Sequence, residues 1–155
     1  MKTNNGIQTA YNAQTAVDSA QQVIIAADVT DEAADVQQLL PMIDQAQENL
    51  SGAITQCSAD AGYSSGENLK AVEQRQIDAY IPDCEYQAQQ RKHVVEPPFG
   101  HIKSIMGFTG FMLRGLEKVK GEFKLVSTAH NLRKIWLYLK ANGKTLAGMC
   151  PAPGN

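Results

Sequence analysis

Two strand-like segments, separated by only a short polar link of four residues, constrain this chain more than any other feature. From Thr9 to Val17 small, aromatic and β-branched residues alternate, with Tyr11, Ala13, Thr15 and Val17 on one side and Asn12 and Gln14 on the other. This is the period of a half-buried strand. After Asp18-Ser19-Ala20-Gln21 a second segment runs from Gln22 to Val29 through the β-branched centre Val23-Ile24-Ile25. Segments so close in sequence pair as an antiparallel hairpin.

Beyond the hairpin the pattern alternates between helix and strand. Thr30 and Asp31 offer caps to a helix carrying Asp35, Val36, Leu39, Leu40, Ile43 and Ala46 up to Ser51-Gly52, and Pro41 implies a kink or two shorter helices. Ala53 to Ala59 reads as a strand and Ser64-Ser65-Gly66-Glu67 as a capping box for a helix from Gly66 to Arg75. Ile77 to Ile81, closed by Pro82-Asp83, reads as a further strand. Cys84 to His93 is weakly patterned, a loop or broken helix. A long helix from Glu117 to Ala141 places Val119, Phe123, Val126, Leu132, Ile135, Trp136 and Leu139 on one broad apolar face. The order β-β-α-β-α-β predicts an α/β fold, a mixed sheet flanked by helices. One domain is expected over residues 1–142, with a flexible tail over 143–155.

Apolar residues make up 43% of the 155 residues and charged ones 19%, an ordinary globular composition. Cys57, Cys84 and Cys150 form neither a CxxC pair nor an even set, so a reducing cytoplasm is expected. The apolar runs are too short for a membrane span, and the first residues do not lead into a signal peptide. The net charge of -2 conceals an asymmetry. Residues 1–90 hold three basic and thirteen acidic side chains, a net of -10, whereas residues 91–155 hold eleven basic and three acidic, a net of +8. A cationic half of this kind suits a polyanion. It equally suits neutralisation of the acidic half or docking on an acidic partner.

Two carboxylates stand out. Asp60, in Ser58-Ala59-Asp60-Ala61-Gly62-Tyr63, closes a strand and is followed by residues too small to shield it. Functional side chains of α/β sheets gather at strand carboxyl ends, although an isolated Asp-x-Gly also serves simply to cap a turn. Glu96 lies between Arg91, Lys92, His93 and His101, Lys103. A carboxylate among cations suits phosphodiester chemistry, in which acids hold divalent metals and cations hold the backbone. Pairing of Glu96 with Lys92 or Lys103 at a helix start is the structural alternative.

In order along the chain, AYNAQTAVD, VIIAADVT followed by Asp35, ADAGYSS with ENL, AYIP, VEPPFGHIK and FMLRGLEKV with AHNLRKI resemble the catalytic domain of bacterial insertion-sequence transposases of the DDE type. The resemblance runs from Gly6 to Lys140. It implies an RNase H-like fold with a long basic C-terminal helix and two metal ions, Mg2+ or Mn2+, held by two Asp and one Glu. These activate water or a DNA 3'-hydroxyl for attack on a phosphodiester. By motif, Asp60 corresponds to the second Asp and Glu96 to the Glu, both catalytic and metal-binding. Lys103 matches a Lys seven residues after the Glu. The family places an Arg four residues before the Glu, where this chain has Lys92 beside Arg91, and a Tyr three earlier, where it has Gln89.

DNA contacts are expected from Arg91, Lys92, His101, Lys103, Arg114, Lys118, Arg133 and Lys134, whereas His130 is expected to be packed or hydrogen-bonded. The first catalytic Asp of the family precedes the hairpin, and no carboxylate of this sequence precedes Asp18. The resemblance therefore implies an N-terminally truncated domain, without its first strand, first metal ligand and DNA-end-binding region. Such a chain is expected to be inactive or nearly so alone, with weakened metal binding and an exposed sheet edge that favours self-association. The expected partners are transposon ends and target DNA, in a bacterial cytoplasm, nucleoid-associated when DNA is bound. The alternative is a non-catalytic DNA-binding remnant that uses the basic half.

Overall fold

A computed structural model describes residues 11–82 and 96–144, together with the short antiparallel strands β1 (Lys2–Thr3) and β2 (Gly6–Ile7). The expected hairpin forms from β3 (Asn12–Val17) and β4 (Ile24–Thr30), in register from Asn12↔Thr30 to Val17↔Ile24 with an irregularity at Ala16/Val17. Its turn is closed by Gln22 N–H donating to the Asp18 carbonyl at 2.8 Å. Gln22 has a left-handed φ of 56°, so β4 begins only at Ile24.

β3 takes up the half-buried strand expected over Thr9 to Val17, whereas β4 is covered on both faces. Ile24, Ala27 and Val29 pack with Val119, Phe123 and Ile102, while Ala26 packs with Met42 and Ala46. A 3-10 turn, Asp35–Gln38, leads into α1 (Leu39–Asn49). Pro41 does not kink the helix. It is the third residue of α1, where a backbone N–H has no intrahelical acceptor, and α1 continues through it. Thr30 accepts from Glu32 N–H at 3.1 Å in a turn rather than capping α1.

Next come β5 (Gln56–Ser58), α2 (Gly66–Gln74) and β6 (Asp78–Tyr80). β5 and β6 pair in parallel, Gln56↔Asp78 to Ser58↔Tyr80. Ser65 caps α2 by accepting from Asn68 N–H at 3.0 Å. Asn68 therefore holds the position that the capping box assigned to Glu67, and its amide donates to the Val36 and Tyr63 carbonyls at 2.7 and 2.8 Å.

The expected single mixed sheet is not formed among the described residues, whose strands make three two-stranded ladders. A helix joins the larger two. Leu39 and Ile43 of α1 enter a cluster with Val72 and Ile77 beside β5 and β6, and Met42 and Ala46 enter the cluster under β4. α1 thus contributes to the cores beside both ladders.

Two further helices complete the molecule, α3 (Glu96–Ser104) and α4 (Leu116–Ala141). Residues 83–95 and 145–155 lie outside the described set, including the weakly patterned Cys84–His93 segment and most of the expected tail. α4 uses only part of the broad apolar face expected of it: Val126 packs against the core and Leu139 is buried as well. Val119, Phe123, Ser127 and His130 are buried, whereas Leu132, Ile135 and Trp136 are exposed. Leu132 follows Phe123 by about two and a half helical turns and so lies on the opposite side. Asn131 acts as a strand partner: its Oδ1 accepts from Ile24 N–H at 2.9 Å and its Nδ2 donates to the Ile24 carbonyl at 2.7 Å. Among the described residues no helix is long and apolar enough to cross a membrane.

Candidate functional site

β5 delivers its chain end to a tight 3-10 turn, Ala61–Tyr63, with Asp60 as the cap. The pairing of β5 with β6 extends one step further, as Ala59 N–H donates to the Tyr80 carbonyl at 3.1 Å, and Asp60 is the next residue. Its Oδ1 accepts from Gly62 N–H at 2.7 Å. A Cβ added at Gly62 would lie 2.9 Å from Asp60 Oδ1 and 3.2 Å from Asp35 Oδ2. Two carboxylates thus flank one glycine, and no larger residue fits there without displacing them.

Asp35 is held firmly. Its Oδ1 accepts from Asn12 Nδ2 at 2.6 Å and from Gln14 Nε2 at 2.8 Å. The Gln14 Oε1 in turn accepts from the Tyr63 hydroxyl. Gln14 is buried, and the network ties β3, the turn before α1 and the turn after β5 to one another. Burial, with the Asp35 and Asp60 charges adding to it, pushes the Tyr63 phenol up to about 12, so it stays a hydrogen-bond donor. Sequence reasoning missed Asp35 as a neighbour of Asp60. The available signal was the pair Asn12 and Gln14, two amides on one face of β3 that require an acceptor when that face is covered.

Glu96 is the first residue of α3, and its side chain lies outside the described set, as do Arg91 and Lys92. α3 is anchored behind it by Pro98 and Ile102, both fully buried. Of the other expected site residues, Lys103, Arg114, Lys118 and Arg133 are exposed. Lys134 is partly buried and its Nζ lies 3.4 Å from Gln22 Oε1. His101 meets buried His130 across the α3–α4 contact, with the two Nδ1 atoms 3.1 Å apart. His130 Nε2 lies 3.2 Å from the Gln22 carbonyl, in keeping with the packed, hydrogen-bonded role expected of it. Lys120 pairs with Asp28 of β4 at 3.2 Å, so one cation of the basic half does neutralise the acidic half.

The oxygens of Asp35 and Asp60 are hard donors of the kind Mg2+ and Mn2+ take, and the two carboxylates converge on Gly62. Among the described residues no group of three His, Cys, Asp or Glu side chains stands where it would hold a metal. The arrangement therefore has the donor chemistry for a divalent ion, without a full ligand set in the described portion.

Residues 57–136, from β5 into the C-terminal part of α4, match the family model described as a transposase DDE domain. No curated protein and no solved structure gives a significant match to the chain.

Proposed function

Because the chain belongs to the transposase DDE domain family, we propose that its role in transposition rests on Asp60 and Glu96 as catalytic carboxylates acting on DNA. The family generally uses divalent metal ions and has DNA as its partner. The observation that carries the assignment is the position of Asp60. It lies at the carboxyl end of a parallel strand, in a turn where only glycine fits at position 62, with a second carboxylate beside it. Asp60 and Glu96 would hold Mg2+ or Mn2+, which when bound supplies charge neutralisation for a phosphodiester and an activated water or 3'-hydroxyl.

The chain's own side chains do the rest. The Gly62 N–H and the Asp35 network fix the turn that presents Asp60, while His101, Lys103, Arg114, Lys118, Arg133 and Lys134, with Arg91 and Lys92, take up backbone phosphates. The DNA bound would be transposon ends and target DNA of an insertion sequence, on an RNase H-like scaffold. Two carboxylates are a sparse ligand set for the metal ions such chemistry uses, so weak metal affinity and little or no activity are expected of the chain alone. Incubation with DNA carrying matched terminal inverted repeats, in Mg2+ or Mn2+, tests this. Nicking or joining by the wild-type chain that Asp60→Asn abolishes would establish Asp60 as catalytic and overturn the inactivity.

The charge distribution favours a second reading, a non-catalytic DNA-binding remnant using residues 91–140. It requires DNA affinity unchanged by EDTA. Filter binding with and without the chelator separates the two, because metal held by Asp60 and Glu96 at the DNA interface would make affinity chelator-sensitive.

A further inference from the structure

The contact between α3 and α4 is made by two imidazoles whose proton positions follow from their partners. His130 is fully buried, and its Nε2 faces the Gln22 carbonyl at 3.2 Å. A carbonyl oxygen only accepts, so His130 carries its proton on Nε2 and presents a lone pair at Nδ1. His101 Nδ1, 3.1 Å away, must then be the donor. The rings stand nearly perpendicular, 81°, with centroids 4.9 Å apart. By elimination the free lone pair of the pair is His101 Nε2, on the ring that is only partly buried.

We propose that His101 is a proton-loaded phosphate contact: its Nε2 takes up a proton as a DNA phosphodiester docks beside Arg133 and Lys134, with His130 as the positioning residue that fixes ring and tautomer. The inference rests on the reading that the basic half binds DNA. One proton from solvent binds Nε2, no bond breaks, and the imidazolium keeps its Nδ1–H donated to His130. The added proton belongs on His101 rather than on His130, whose full burial disfavours charge.

Among the described residues, the titratable and charged groups acting on His101 are His130, Arg133 and Lys134, all on α4; the β3–β4 turn presents the uncharged Gln22. Burial first, then these three neighbours, holds His101 below the usual histidine range, so the ring is neutral at pH 7 without DNA. Burial and Lys134 lower His130 against the raising effect of its bond to Gln22. A phosphate arriving beside this cluster adds the missing negative charge and favours the cation. Lys or Arg at this position would be charged at all times, whereas His101 couples occupancy to proton uptake.

Fluorescence anisotropy of the whole chain with a short labelled duplex, from pH 8 to pH 5.5 at fixed ionic strength, tests the proposal. Wild-type affinity is expected to rise as pH falls, by about tenfold for each unit by which DNA raises the His101 pKa, with the rise lost in His101→Gln. A His101→Gln profile as steep as wild type overturns the inference and leaves the DNA reading intact. Absence of binding at every pH overturns both.

Nitrogen-15 NMR of the imidazoles gives a test on the wild-type chain. A proton on His101 Nδ1 without DNA, and a His101 titration moved to higher pH by duplex, are expected; a His101 pKa unmoved by duplex overturns the proposal. His130→Phe should abolish the Nδ1–H preference of His101, which a purely structural role for His130 would leave in place.

Discussion

At the scale of single residues, Gln14 is where the network is most exposed to disruption. Its amide donates to Asp35 and accepts from Tyr63 while buried, so Gln14→Leu strips one donor from a carboxylate and leaves a partly buried hydroxyl without its acceptor. A loss of about 1–3 kcal/mol in urea unfolding is expected. Tyr63 reports the same network from the other side. Its folded pKa of about 12 lies above the ordinary value of 10.0, so its contribution to stability is complete below about pH 10 and is lost as pH rises towards 12. Over that interval the unfolded chain releases the phenolic proton and the folded chain keeps it. Asp35→Asn removes one of the two nearby negative charges and should lower the Tyr63 titration in ultraviolet absorbance; an unmoved titration would show that Asp35 does not act on Tyr63.

At the scale of elements, α4 sets two faces against each other. Phe123 is buried among Ile102, Val119 and Val29, and Phe123→Ala should cost about 3–5 kcal/mol. Leu132 is 62% exposed on the opposite side, and Leu132→Ala should change stability by no more than about 0.5 kcal/mol. Equal effects in denaturant unfolding would mean that the helix is rotated from this placement. The two faces were not separable from sequence, because apolar residues line both sides of α4 and periodicity alone does not say which side a core covers. α2 was legible in extent, Gly66–Gln74 against an expected Gly66 to Arg75. Its cap was displaced by one residue because Asn68, not Glu67, follows Ser65 by three.

For the whole molecule, the division between an acidic N-terminal half and a basic C-terminal half governs long-range behaviour. α4 alone carries six Lys or Arg and two Glu. If α4 faces DNA, the logarithm of affinity falls linearly with the logarithm of salt concentration by about 0.9 per phosphate neutralised. Arg133→Ala should reduce that slope by about 1, and an unchanged slope would remove Arg133 from the interface. The exposed Leu125, Leu132 and Trp136 on the same helix, together with short two-stranded ladders whose edges are unpaired within the described residues, lead us to propose self-association. Sedimentation velocity across a concentration series should show a rising mean mass; a concentration-independent monomer would refute it.

The sequence by itself determined the local elements. A β-branched run across a four-residue link made the β3–β4 hairpin, Ser65 and the apolar positions of α2 made a β-α-β unit with β5 and β6, and motif order pointed to the transposase DDE domain. It also placed Asp60 at a strand end, since strand and turn propensities act over a few residues. Tertiary structure decided which distant groups meet. Asp35, held by amides on β3, came beside Gly62 and Asp60, His101 met His130 across α3 and α4, and α1 packed against both larger ladders. These are contacts between residues some 20 to 50 positions apart or more. They depend on how covered faces and buried polar groups satisfy one another, which no local pattern encodes.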